Sequence, residues 1–236
     1  MLNMIFGLAV SFALSYMVCW LFVSRGTAGW AVDVPNARSM HETPIPRVGG
    51  GAMALGVAAG WWQTQSGEVL WLLPTLGLFM VSLMDDLWRL PVIPRLVAHV
   101  AAAIGLVIFG FDEVTPMIGL GLVLILVWMT NLYNFMDGAD GLAGGMACIG
   151  FGAFAYAAHL DGDMNFAIAN GVVASAALGF LMYNSPPARL FMGDMGAIPL
   201  GFLAGAMGLI GYHEGAWSPW FPLMVFSPFI VDASVT

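Results

Sequence analysis

Residues 2–23 read LNMIFGLAVSFALSYMVCWLFV, with no charged side chain, and comparable apolar runs recur to the end of the chain. A run of this length matches the hydrocarbon thickness of a bilayer. In lipid every backbone N–H and C=O must find its partner within the protein, so only helices or a closed barrel can cross. The runs are continuous rather than alternating, which selects helices over barrel strands. The fold class expected is therefore all-α, a polytopic transmembrane helix bundle. The first run has no basic residue before it and is long enough to span, so it reads as a helix and not as a signal peptide.

Nine apolar segments are expected, roughly 2–23, 49–64, 69–84, 96–110, 117–135, 142–159, 165–182, 197–212 and 220–236. Several are rich in Gly and Ala, as close helix packing in lipid requires. No repeat or long linker divides the chain, so residues 1–236 are expected to form a single membrane domain. The six basic residues are all arginine: Arg25, Arg38, Arg47, Arg89, Arg95 and Arg189. All fall in connections on one side of the nine-span map, at 24–48, 85–95 and 183–196. Connections on the other side hold only acids: Glu68, Asp112, Glu113, Asp161, Asp163 and Glu214. Such asymmetry places the arginine side in the cytoplasm and the N-terminus outside.

Charged residues make up 8% of the chain, and the net charge is −8. The acid surplus argues against nucleic acid as a partner. Cys19 and Cys148 lie inside apolar runs and read as small core residues, not as a disulfide. Trp61, Trp62, Trp71, Trp217 and Trp220 gather near the external ends, where an interfacial aromatic belt accounts for them. His99, His159 and His213 read as structural or solvated.

On the cytoplasmic side lie Asp33, Glu42, Asp85, Asp86, Asp137, Asp140, Asp194 and Asp232. Carboxylates gathered at helix ends repel one another. A divalent cation would relieve the repulsion, and magnesium suits hard oxygen ligands with waters and phosphates completing its shell. Arg38, His41 and Arg47 precede a triple glycine at 49–51. The arginines suit phosphate oxygens. The glycines read either as free helix N–H groups for an anion or as a close-packing device. Metal ligands beside phosphate donors in a membrane point to phosphoryl chemistry on a lipid. Two other readings fit the residues less well. A cation transporter would need polar groups at depth. An intramembrane aspartyl protease would need a different motif around Asp194, which has Met192 two residues before it.

Four stretches in order, DVPNARSMHETPIPRVGG, SLMDDLWRLPVIPR, NLYNFMDGADGLAGG and FMGDMGAIPLGF, resemble the polyprenyl-phosphate N-acetylhexosamine-1-phosphate transferases, the superfamily of glycosyltransferase family 4. The first stretch looks most like the branch that initiates O-antigen, and the lipid I enzyme, phospho-N-acetylmuramoyl-pentapeptide transferase, is the alternative. The resemblance implies transfer of a sugar 1-phosphate from a UDP-N-acetylhexosamine to undecaprenyl or another polyprenyl phosphate, with release of UMP. It implies Mg2+, with Mn2+ as a substitute, the bacterial inner membrane with the site facing the cytoplasm, and a homodimer. By the same resemblance Asp85 and Asp86 are catalytic, and Asn134 and Asp194 hold the metal. Asn131, Asp137 and Asp140 lie on the nucleotide-sugar side, and Arg38, His41 and Arg47 lie near the phosphates. Arg95, in the second stretch, joins the substrate-binding group. Members of the family usually continue through further spans and a His-containing loop. This chain stops at SPFIVDASVT and is expected to lack that part.

Overall fold

A computed structural model describes residues 2–25, 32–33 and 44–235. The helices are α1 (Leu2–Arg25), α2 (Gly49–Thr64), α3 (Val69–Trp88), α4 (Val92–Gly110), α5 (Pro116–Met136), α6 (Leu142–Asp161), α7 (Met164–Asn184), α8 (Asp194–His213), α9 (Trp220–Val225) and α10 (Ser227–Val235). Two short strands, β1 (Val32–Asp33) and β2 (Ile45–Pro46), pair antiparallel ahead of α2.

The first eight helices fall on the first eight expected segments, with two differences. Helix α3 runs on to Trp88, so Asp85 and Asp86 sit in its last turn and not in a connection. Helix α4 begins at Val92, so Arg95 lies in its first turn. The ninth segment, 220–236, is not one helix. Pro228 has no N–H to give the Met224 carbonyl, and the Ser227 hydroxyl takes that carbonyl instead at 2.8 Å. The chain breaks there into α9 and α10. Seven helices, α1 and α3 to α8, are long and apolar enough to cross a membrane, whereas α2 has 16 residues.

Local signals explain several boundaries. Thr115 caps α5, accepting from the Ile118 N–H, and Pro116 follows where a missing N–H costs nothing. Asp163 caps α7, accepting from the Phe166 N–H at 2.9 Å. Gly162 ends α6 at φ 97, returning its N–H to the Ala158 and His159 carbonyls.

Helix α8 is the centre of the bundle and is buried along most of its length. It packs against α3 and α5, with α2 and α6 on its other flank, while α1, α2 and α7 pack together. Small residues allow these approaches, as expected where lipid gives no hydrophobic drive for helix association. Ser11 and Ser15 of α1 donate to the Val172 and Ala176 carbonyls of α7, each at 2.8 Å. A methyl at Gly179 would sit 2.6 Å from the Phe12 carbonyl, and one at Gly201 would sit 2.9 Å from the Met129 carbonyl.

The tryptophans divide. Trp62 and Trp220 are exposed, as a belt requires, but Trp61, Trp71 and Trp217 are core residues. Trp61 donates to the Ala169 carbonyl at 2.9 Å and Trp217 to the Gly208 carbonyl at 3.0 Å. Polar handles satisfied inside the bundle let the Trp61 and Trp217 rings pack at its centre, whereas Trp71 Nε1 is buried without a hydrogen-bond partner. Cys19 is buried, Cys148 is half-buried, and both are free thiols.

The triple glycine resolves as a packing device. Its N–H groups are spent: Gly49 donates to the Phe191 carbonyl at 2.9 Å, Gly50 to Met192 at 2.8 Å and Gly51 to Val48 at 3.1 Å. A Cβ at Gly50 would fall on the backbone of Gly196. Gly50→Ala is therefore expected to destabilise the protein by about 2 kcal/mol or more. Gly77, where a Cβ meets nothing within 4 Å, should tolerate Ala with no loss. Thermal unfolding of both variants in detergent checks the contrast.

Candidate active site

One end of the bundle collects the C-termini of α3, α5 and α7 and the N-termini of α2, α4 and α8. Helix α8 opens with Gly193 as its N-cap residue, which has no side chain with which to cap. The caps come from other helices. The Asp86 carboxylate of α3 accepts the Met195 N–H at 2.9 Å. Asp137, just past α5, is drawn on by the Gly193 N–H. Carboxylates at this end also answer the positive pole of the α8 dipole. Gly193 has φ 75, and a side chain there would press on the Arg47 carbonyl at 2.5 Å and on Asp86 Oδ2 at 3.2 Å.

Around this point runs a chain of alternating charges. Arg47 Nη2 meets Asp194 Oδ1 at 3.2 Å, Arg95 Nη1 lies 3.7 Å from Asp194 Oδ2, and Arg95 Nη1 donates to Asp85 Oδ2 at 2.5 Å. Asp85 is buried. Its second oxygen accepts the Leu90 N–H at 2.7 Å and so ties the turn between α3 and α4. That turn depends on Arg89 at φ 51, whose N–H returns to the Asp85 carbonyl at 2.7 Å. A half-buried network of this kind keeps each charge compensated where water is scarce.

The carboxyl of Asp137 is pushed up to about 8. Burial is the main cause; Arg47 and the Gly193 N–H pull it down, and Asp194 and Asp86 push it up.

Of the residues expected at the site, Asp85, Asp86, Asp137, Asp194, Arg47 and Arg95 come together. Asn134 lies half-buried one turn before Asp137, and its carbonyl receives the Asp137 N–H at 3.4 Å. Asp140 is engaged elsewhere, accepting the Ala188 N–H at 2.9 Å and holding two loops together. Asn131 is exposed, and its amide turns back to the Val127 carbonyl of its own helix at 2.7 Å. Arg38 and His41 lie outside the described residues.

The sequence reading missed Asn184. It is buried at the end of α7, accepts the Gly141 N–H at 3.1 Å and donates to the Leu190 carbonyl at 3.0 Å. It thereby fixes the loop after α5 against the loop before α8. Its only signal was a lone Asn before two prolines, which does not distinguish a brace from a helix end.

The side chains available to a metal here are hard oxygens. Among the described residues no three His, Cys, Asp or Glu side chains stand close enough to enclose an ion by themselves. That set fits an ion which takes one or two carboxylates and completes its shell with water and phosphate oxygens, as magnesium does. It does not fit a closed structural site.

The sequence profile of glycosyl transferase family 4 matches residues 69–212. A probable undecaprenyl-phosphate N-acetylglucosaminyl 1-phosphate transferase of Bacillus subtilis (strain 168) is 32% identical over 225 residues, covering 86% of this chain and 62% of the relative. A decaprenyl-phosphate N-acetylglucosaminephosphotransferase of Mycobacterium leprae (strain TN) is 30% identical over 243 residues, covering 87% of this chain and 61% of the relative. A phospho-N-acetylmuramoyl-pentapeptide-transferase of Lactiplantibacillus plantarum is 33% identical over 180 residues, covering 66% of this chain and 56% of the relative. The chain thus spans about three fifths of the length of these relatives.

Asp137 sets a pH dependence of stability. The folded protein holds the Asp137 proton up to about pH 8, whereas an unfolded aspartate loses it near pH 4. The folded state binds the extra proton between those values, so stability from this group falls as pH rises across them. Asp137→Asn, which imitates the protonated form, is expected to gain on the parent from pH 5 to pH 8 when melting temperatures are compared. A constant difference across that range would contradict the burial of this carboxyl.

Proposed function

Because this chain belongs to glycosyl transferase family 4, we propose that it transfers an N-acetylhexosamine 1-phosphate from a UDP-sugar to a polyprenyl phosphate and releases UMP. The observation that carries the reading is the arginine–carboxylate network at one end of a membrane bundle. A lipid phosphate confined to the membrane and a sugar nucleotide from water can meet only at such an interface.

An oxygen of the lipid phosphate bonds to the phosphorus that carries the sugar. The bond from that phosphorus to the bridging oxygen breaks, and UMP leaves with the electron pair. Both reactants are anions, so bringing them together is the main barrier that the site must lower. Arg47 and Arg95 supply positive charge for the phosphates. Asp85 holds Arg95 and the α3–α4 turn in place. Asp194 and Asn134 would hold magnesium, or manganese in its stead, which when bound screens the phosphates and stabilises charge on the leaving group. Asp86 and Asp137 fix the start of α8 and hence the position of Asp194. Asp140 and Asn184 shape the loops on the nucleotide side.

The same proposal places the protein in a bacterial inner membrane with the arginine end in the cytoplasm, as the charge asymmetry favours, and allows a homodimer. UDP-N-acetylglucosamine is the donor to test first, since two of the relatives carry that sugar in their names. The O-antigen branch rests on the loop that holds Arg38 and His41. A second reading, phospho-N-acetylmuramoyl-pentapeptide transfer, draws on the relative of that name, and competition between the two donors separates them.

The test is release of labelled UMP in detergent with undecaprenyl phosphate and magnesium, from this chain and from one extended to the relatives' length. Asp194→Asn is expected to lower turnover by about 100-fold or more, the scale of losing a group that stabilises developing charge, while leaving the melting temperature within a few degrees. Near-parental turnover by Asp194→Asn would remove that residue from the reaction.

A further inference from the structure

Helix α4 turns one stripe to the bundle: half-buried Arg95, then buried His99, Ala103, Leu106 and Val107. Positions three and four apart share a helix face. Every member of the stripe beyond His99 is apolar, so its polar part is confined to the two turns nearest the charged network. His99 is 4% exposed. A titratable side chain buried in a membrane helix is costly and is retained for a purpose.

Few buried side-chain nitrogens or oxygens lack a hydrogen-bond partner among the described residues, and two of these are Arg95 Nε and His99 Nδ1. They lie one helical turn apart. Arg95 Nε is a donor in every state, and His99 Nδ1 is a donor in one of its neutral tautomers. Leaving such groups unmet costs stability unless a ligand or water answers them. Arg95 Nη1 already faces both Asp85 and Asp194, and Nε is a further donor that neither carboxylate takes. On the facing helix the buried stripe of α3 also ends in polar residues, Ser82 one turn deeper than Asp85. His99 is likewise one turn deeper than Arg95. The neighbourhood is therefore polar for one turn below the Asp85–Arg95 pair and apolar beneath it.

We propose that Arg95 Nε–H and His99 Nδ1–H form a two-donor pocket for a single phosphoryl oxygen, making His99 a substrate-binding residue. The inference rests on the phosphoryl-transfer reading for the identity of its ligand. An anionic oxygen offers the lone pairs that both donors need, and the arginine offsets its charge. The oxygen belongs either to the polyprenyl phosphate or to the sugar nucleotide, and kinetics separate the two. If the lipid supplies it, His99→Leu raises KM for undecaprenyl phosphate about tenfold or more, the cost of one hydrogen bond to a charged acceptor, and leaves KM for the UDP-sugar unchanged. If the nucleotide supplies it, the pattern reverses. His99→Gln, which restores an N–H donor, recovers part of the loss.

A second measurement does not need turnover. With four histidines in the chain, imidazole nitrogen NMR of the detergent-solubilised protein can single out His99 by comparison with His99→Gln. Titration with undecaprenyl phosphate, and separately with UDP-N-acetylglucosamine, is expected to move the His99 Nδ1 signal with one of them. A shift without UMP release from either this chain or the extended one would keep the phosphate pocket and overturn the transferase reading. UMP release with no shift, and with unchanged KM for both substrates in His99→Leu, would overturn the pocket and leave a buried water as the partner of these nitrogens.

Discussion

The start of α8 is the point on which the rest of the site depends. A helix N-terminus leaves N–H groups without partners, and here Gly193 cannot cap them. Asp86 and Asp137 reach in from α3 and α5 to do so. That ties three helices together through hydrogen bonds, charge-assisted at Asp86, while Asp137, pushed up to about 8, accepts as a neutral carboxyl. It also forces carboxylates into close company, and Arg47 and Arg95 then become necessary as counterions. The electrostatics and the packing are thus one problem. Gly50 against Gly196 lets α2 approach closely enough for Arg47 to reach Asp194.

Much of this architecture was legible because lipid imposes so few solutions. Long apolar runs could only be helices, and eight of the nine expected segments became α1 to α8. Arginine placement pointed to the end of the bundle where Arg47 and Arg95 meet Asp85 and Asp194. The last segment failed because hydropathy does not register a proline: Pro228 interrupts an apolar run without changing its polarity. The tryptophans failed for a related reason. Trp61 and Trp217 sit near helix ends, where a belt was the simplest account, but their N–H groups find carbonyls inside the bundle. Partner geometry of that kind lies between helices distant in sequence.

The candidate site divides in the same way. Acids in motifs were found, yet their separate jobs were not. Asp85 and Asp140 look alike as loop-end aspartates. In three dimensions Asp85 joins an ion pair while Asp140 fastens a backbone N–H. Asn131 and Asn134 sit three residues apart in one motif, but only Asn134 is half-buried beside Asp137. Asn184 carried no mark in the sequence, because a bridge between two loops exists only once both loops are placed.

Spending the N–H groups of α2 and α8 internally has a chemical consequence. A glycine-rich helix start is often an anion site because its N–H groups are free. Here Gly49, Gly50 and Gly51 give theirs to carbonyls, and the first groups of α8 go to Asp86 and Asp137. The helix dipoles are therefore already answered by the protein's own groups. Any phosphate must be recognised by side-chain donors or through a bound cation. Arg47 and Arg95 are the described cations at this point, and both are held by carboxylates. An incoming phosphate has to compete with Asp194 and Asp85 for them. That competition favours a ligand that brings more than one negative charge, or that arrives with a divalent cation to occupy the carboxylates it displaces. A diphosphate and a lipid monophosphate meeting over the same two arginines satisfy that condition better than either alone.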